Sequence, residues 1–168
     1  MSWVDEIRNL VPGYAKDINL NLDNVINRST LDEVTVKGVA MASAFASGNM
    51  ELVEKIKPFM LEEDRTAALT AASLMAMNNV WYPYVEMTGD PSLKGLPPQL
   101  RMNAYASHGG TTKVKFESYA LAASIVGKCH FCVKNHYDVL KKEGVSVEQL
   151  RDIGRIAAVI NAVSKFKL

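Results

Sequence analysis

Apolar residues recur at three- and four-residue spacings along almost the whole chain, which predicts a succession of helices. Val4, Ile7, Leu10 and Val11 form a short stripe that opens behind Ser2 and stops at Pro12. Ile18, Leu22, Val25 and Ile26 align in a second helix over Tyr14 to Ile26. Thr30-Leu31-Asp32-Glu33 has the form of a capping box and predicts a helix through GVAMASAFAS to Gly48. Its Ala, Ser and Gly residues permit close helix–helix approach, within a subunit or between subunits. Asn49 caps a shorter helix that stops before Pro58, and Glu62 to about Met77 is a long Ala-rich helix followed by NNVWYPYVEM. Thr88 to Pro98, with two Gly and three Pro, is the longest expected loop. Pro97-Pro98-Gln99-Leu100-Arg101 predicts the start of another helix, ending near Ser107-His108-Gly109-Gly110. Thr112 to Val126 leads into a helix expected to run unbroken between Gly127 and Gly144, and Ser146-Val147-Glu148-Gln149 opens the last. No period-two alternation is evident, so the expected fold is all-α.

The chain is long enough for one domain with a sizeable core, expected to span 1–168. Ala71-Ala72-Ser73-Leu74-Met75-Ala76 is echoed by Ala122-Ala123-Ser124-Ile125-Val126-Gly127, and Gln99-Leu100-Arg101 by Gln149-Leu150-Arg151. The near-constant spacing suggests a duplicated helical unit, at about 62–107 and 112–166, behind N-terminal helices over 1–60. Asn78 and Trp81 would then stand where the second unit has Cys129 and Cys132.

A net charge of +1, with acids and bases interspersed, gives no sign of a nucleic-acid or membrane-surface partner. The start, MSWVDEIRNL, lacks the build of a signal peptide, and no apolar run reaches bilayer-spanning length. The expected location is therefore cytoplasmic. There, a close cysteine pair is more often catalytic or metal-binding than a structural disulfide.

Both cysteines and two of the three histidines lie in Cys129-His130-Phe131-Cys132-Val133-Lys134-Asn135-His136. At about 100° per residue, Cys129, Cys132 and His136 share one helical face, and His130 lies about a quarter-turn away. Three readings are open. Haem attachment is not among them, because Val133 rather than His follows the second Cys. A zinc module would take Cys129, Cys132 and His136, with His108 or His130 as fourth ligand, although the chain has no second cysteine pair. Two inert buried thiols are the second reading. Redox use is the third and is favoured by the spacing: a helix N-terminus, Lys128 and Lys134 supply positive potential for a thiolate, and His136 can take its proton. Glu117, 12 residues before Cys129, could orient that imidazole, although spacing alone favours a solvated helix residue. His108, beside two glycines, reads as a loop residue.

FESYALAASIVGKCHFCVKNH (116–136), together with PGYAKDINLNL (12–22), AMNNVWY (76–82), LRMNAYA (100–106) and EGVSVEQL (143–150), resembles the AhpD alkyl hydroperoxidase family of the carboxymuconolactone decarboxylase-like superfamily. The resemblance spans nearly the whole chain. It implies an AhpD-like helical fold, a trimer or a hexamer built as a dimer of trimers, and a redox-active disulfide between Cys129 and Cys132. It further implies an antioxidant role without a bound cofactor. The reduced pair passes electrons to the peroxiredoxin AhpC and weakly reduces alkyl hydroperoxides itself. The oxidised pair is reduced by dihydrolipoamide, whose lipoyl group is carried on a dehydrogenase-complex acyltransferase. The family's proton relay falls on Glu117 and His136, which reverses the reading of Glu117 from spacing. Cys132, four residues from His136, is the expected relay thiol, and Cys129 its disulfide partner and the contact for incoming thiols. Phe131 stands where well-known members carry histidine, so His130, displaced around the helix, is at most an auxiliary residue.

Overall fold

A computed structural model describes residues 1–166, most of them helical, with no strand among them. Ten α-helices follow in order: α1 Trp3–Arg8, α2 Lys16–Asn27, α3 Glu33–Ala46, α4 Met50–Ile56, α5 Glu62–Thr88, α6 Pro91–Lys94, α7 Ala104–Ser107, α8 Lys113–Gly127, α9 His130–Lys142 and α10 Val147–Val163. Three short 3₁₀ turns lie at Gly13–Ala15, Lys57–Phe59 and His108–Gly110.

Most helix starts follow local capping chemistry. Ser2 and Ser146 form complete capping boxes with Asp5 and Gln149, and Asn49 and Thr112 accept the amides of Leu52 and Lys115. At α3 the cap is Asp32, which accepts the Thr35 amide; it is not Thr30. Thr30 turns instead to the last helix, donating its amide and hydroxyl to Asp152 at 2.8 and 2.7 Å. A buried carboxylate that needs donors outcompetes the local box.

The core is a three-helix contact of α3, α5 and α8, with α10 laid against α3 and α8 and α9 against α8 and α5. Small side chains set its closeness. Ala40, Ala42 and Ala44 of α3, Ala67, Ala68, Ala71 and Ala72 of α5, and Ala120, Ala122 and Ala123 of α8 are all fully buried. The Gly38 to Ala44 stretch is thus consumed inside the chain. Gly38 shows how tight the fit is: a Cβ there would lie 2.2 Å from Tyr119 Cε1. Phe116, Leu121, Met75, Ile153 and Ile156 fill the remaining volume. Each such side chain stabilises the fold by about 1.5–3 kcal/mol on burial.

Three expectations are corrected. First, α5 does not stop near Met77 but continues to Thr88, with Pro83 inside it. At 27 residues it is about 40 Å long. Its last turns project beyond the core with Val80, Tyr84 and Met87 exposed. Second, the segment beginning Pro97-Pro98 is not a helix. Gln99 takes a left-handed φ of 52°, and only the single turn of α7 forms before His108, itself at φ 50°. The matched tripeptides 99–101 and 149–151 thus differ in conformation, non-helical in the first and part of α10 in the second. Third, the helix expected between Gly127 and Gly144 begins only at His130.

Candidate functional site

The break between α8 and α9 is what builds the site. Lys128 adopts a left-handed conformation (φ 55°, ψ 35°) at the end of α8. Its amide donates to the Ile125 carbonyl at 3.2 Å and the Cys129 amide to the Ser124 carbonyl at 3.3 Å, the paired bonds of a Schellman stop. A β-carbon in that region costs about 1–2 kcal/mol, and the neighbouring packing holds it there. Part of that packing is Gly127, whose missing Cβ would lie 2.1 Å from Asn79 Nδ2 of α5. Asn79 in turn donates to the Ala123 carbonyl at 3.1 Å.

Cys129 therefore is the N-cap of α9, its Sγ accepting the Cys132 amide at 3.3 Å. Cys129 and Cys132 are joined in a disulfide, with Cα atoms 5.3 Å apart. Both cysteines are buried, at 0% and 3% exposure. The two residues between them face outward. His130 lies 3.5 Å from Glu86 on α5, with both side chains exposed, and Phe131 stacks on Tyr82 with ring centroids 4.3 Å apart. His130 is thus remote in direction from the buried imidazole. On the inner side, Cys132 Sγ lies 3.7 Å from the Asn78 carbonyl oxygen, which would accept a hydrogen bond from the reduced thiol.

One turn further along α9, His136 is buried at 2% exposure. Its Nδ1 lies 2.6 Å from Glu117 Oε2, and Glu117, in the middle of α8, is buried at 6%. Spacing alone had placed Glu117 in solvent, and the packing of α8 between α3 and α5 puts it inside. With the Glu117 oxygen as acceptor, Nδ1 carries the proton and Nε2 faces the other way. There it meets Met75 Sδ at 3.1 Å and the Tyr105 hydroxyl at 3.5 Å. Burial pushes the Tyr105 phenol well above its ordinary range, the Glu117 charge adding to the rise and the Asn78 side chain opposing it. No hydrogen bond between Cys132 and His136 is present in the disulfide form among the described residues.

The residues of the zinc reading do not converge. Glu117 occupies Nδ1 of His136, a thioether faces Nε2, and no cluster of three His, Cys, Asp or Glu side chains is arranged to hold a metal among the described residues. His108 sits at the end of α7 against Phe116, with ring centroids 6.1 Å apart. Lys134 pairs with Asp138 at 2.7 Å. Sequence reasoning missed three members of the site: Met75, Asn78 and Tyr105. Asn78 carried a faint signal, since the internal echo aligns it with Cys129. Tyr105 carried none, because a single-turn helix between non-helical segments has no periodicity to read.

Beside the outward face of the disulfide turn lies a groove of about 1020 Å³, lined by Trp81, Tyr82, Val85, Leu93 and Phe131 among others. The sulfurs do not line it.

Comparison with known proteins places this arrangement. The Carboxymuconolactone decarboxylase family matches residues 91–167. The chain is 38% identical over 165 residues to a protein of Rhodospirillum centenum called alkyl hydroperoxide reductase AhpD, covering 96% of this chain and 88% of that one. A Streptomyces avermitilis protein of the same name is 40% identical over 164 residues, covering 95% and 92%. One from Coxiella burnetii is 38% identical over 165 residues, covering 94% and 93%.

Proposed function

The chain belongs to the AhpD family, and on that premise we propose that it is an alkyl hydroperoxide reductase cycling Cys129 and Cys132 between disulfide and dithiol. The observation that carries this reading is a buried disulfide at a helix N-cap, one turn from a histidine held by a buried glutamate.

In the reductive half, one thiol of dihydrolipoamide gives its proton to His136 and the resulting thiolate attacks Cys129 Sγ, breaking the S–S bond. Cys132 leaves as a thiolate and takes a proton from His136, whose charged form Glu117 stabilises. The second lipoyl thiol then gives its proton to the freed imidazole, attacks the lipoyl sulfur of the mixed disulfide and releases Cys129, which takes that proton. The amide of Cys132, which already points at Cys129 Sγ, stabilises that leaving thiolate. Two electrons and two protons have passed to the protein, and lipoamide departs as its cyclic disulfide. Because Cys129 is fully buried in the oxidised form, this attack requires the first turn of α9 to open.

In the oxidative half, His136 takes the proton of Cys132 and the pair reduces the disulfide of the peroxiredoxin AhpC by the reverse exchange. With an alkyl hydroperoxide, the thiolate attacks the peroxide oxygen and forms a sulfenic acid and an alcohol. The second thiol then closes the disulfide and releases water. Dihydrolipoamide on a dehydrogenase-complex acyltransferase, AhpC, a homotrimeric or hexameric assembly and a cytoplasmic setting complete the reading.

The experiment is intact mass after alkylation, on oxidised protein and on protein treated with dihydrolipoamide, paired with peroxide consumption driven by the same donor. No labels on the first form, two on the second, and donor-dependent turnover support the reading. Two labels on both forms, or stoichiometric zinc in native mass, would overturn it.

A further inference from the structure

His136 has two ring nitrogens, and the structure gives only one of them a strong hydrogen-bond partner. Nδ1 is committed to Glu117 at 2.6 Å. Nε2 faces two heteroatoms, Met75 Sδ at 3.1 Å and the Tyr105 hydroxyl at 3.5 Å. A thioether has no proton and is a weak acceptor. When the imidazole is neutral, with its proton on Nδ1, Nε2 presents a lone pair that Met75 cannot satisfy. Tyr105 can.

Resting on the proposed function, we propose that Tyr105 is a positioning residue for His136, its hydroxyl donating to Nε2 in the disulfide form and holding the neutral ring in the Nδ1–H tautomer, with Nε2 kept as the basic nitrogen. The tyrosine is placed for this by packing rather than by a regular helix. Its ring meets Phe116 edge-on with centroids 5.5 Å apart, and its amide donates to the Met102 carbonyl at 3.2 Å. Its ring plane lies within 7° of the imidazole plane, centroids 6.2 Å apart. The 3.5 Å contact is long, as catalytic hydrogen bonds often are before substrate engages. Burial and the Glu117 charge keep the phenol protonated, so it remains a donor throughout the working pH range. The groups facing His136 are Glu117 from α8, Met75 from α5 and Tyr105 from α7. Among them only Tyr105 favours the neutral ring by donation; Glu117 favours the charged one.

The test is the ring ¹⁵N spectrum of His136 in the disulfide form of Tyr105→Phe, which keeps the ring and removes the hydroxyl, read beside its dihydrolipoamide-driven peroxide turnover. Without the donor, the Nε2 resonance of the neutral ring loses its hydrogen-bonded position, and kcat falls about two- to tenfold, the loss of one neutral hydrogen bond. An Nε2 resonance unchanged from wild type, whatever the rate, would reduce Tyr105 to a packing residue and overturn the proposal. Should the variant fail to fold, ring ¹⁵N resonances of the wild-type disulfide form decide, assigned against His108→Gln and His130→Gln. A neutral His136 protonated on Nδ1 with a hydrogen-bonded Nε2 supports the proposal, and one protonated on Nε2 refutes it. If the wild type shows no donor-dependent turnover at all, the functional reading fails, while the nitrogen signature still judges the Tyr105 contact.

Discussion

Replacing Glu117 with Gln is the most direct test of the relay, because it changes charge and almost nothing else. The side chain keeps its length and shape, and an amide oxygen can still accept the His136 Nδ1 proton across the 2.6 Å separation. What disappears is the charge assistance. A net hydrogen bond to a charged group contributes about 1.5–3 kcal/mol, and one between neutral groups about 0.5–1.5 kcal/mol. The imidazolium that forms when Cys132 gives up its proton therefore loses about 1–2 kcal/mol of stabilisation, a factor of about 5–30 in rate. Both side chains are buried, at 8% and 2% side-chain exposure, so solvent offers little compensation. Fold stability should change little, since relief from burying a carboxylate offsets the weaker bond. The assay is steady-state reduction of a simple alkyl hydroperoxide with dihydrolipoamide as donor, separating kcat from KM, alongside thermal unfolding. The expected loss lies in kcat. A variant with kcat within twofold of wild type, or with the loss confined to KM, would refute the reasoning.

Two predictions concern stability. Gly38→Ala forces a methyl to within 2.2 Å of the fully buried Tyr119 ring. It should cost about 2–3 kcal/mol, or roughly 4–12 °C in Tm for a chain of this size, and a loss under about 2 °C would show that the contact yields. Asp152 is held below the usual carboxylate range: burial pushes it up, but the amide and hydroxyl of Thr30 and the Arg155 guanidinium outweigh that. A depressed folded value gives stability that is present above the unfolded value near 3.8 and lost as pH falls through the folded one. Asp152→Asn should thus unfold at lower urea than wild type at pH 7, with the gap narrowing below about pH 4. A gap that stays constant down to pH 2.5 would remove Asp152 as its source.

Periodicity and capping chemistry are local, and they determined a good deal. The all-helical class, the caps at Ser2, Asn49 and Ser146, the helix stop at Gly144 and the membership of Cys129, Cys132 and His136 in one small region could all be read from the order of residues. So could the family, from motifs that cover most of the chain. These features depend on neighbours a few positions apart, which is why a sequence states them.

Only the tertiary structure decided the rest. Lys128 gives no sign in the sequence that it will take a left-handed conformation. It does so where α8 ends beside the close Gly127–Asn79 contact, and that break makes Cys129 a helix cap rather than a mid-helix residue. Glu117 lies among residues that read equally well as a solvated face, and it is buried because α8 is enclosed by α3 and α5. Thr30 was drawn from the start of α3 to Asp152, 122 positions away. Met75, Asn78 and Tyr105 reach the site from two other elements, and no spacing connects them to the cysteines. Proton chemistry depends on separations of about 3 Å between atoms distant in the chain. Those separations are set by the packing of helices against one another, after the local signals have been spent.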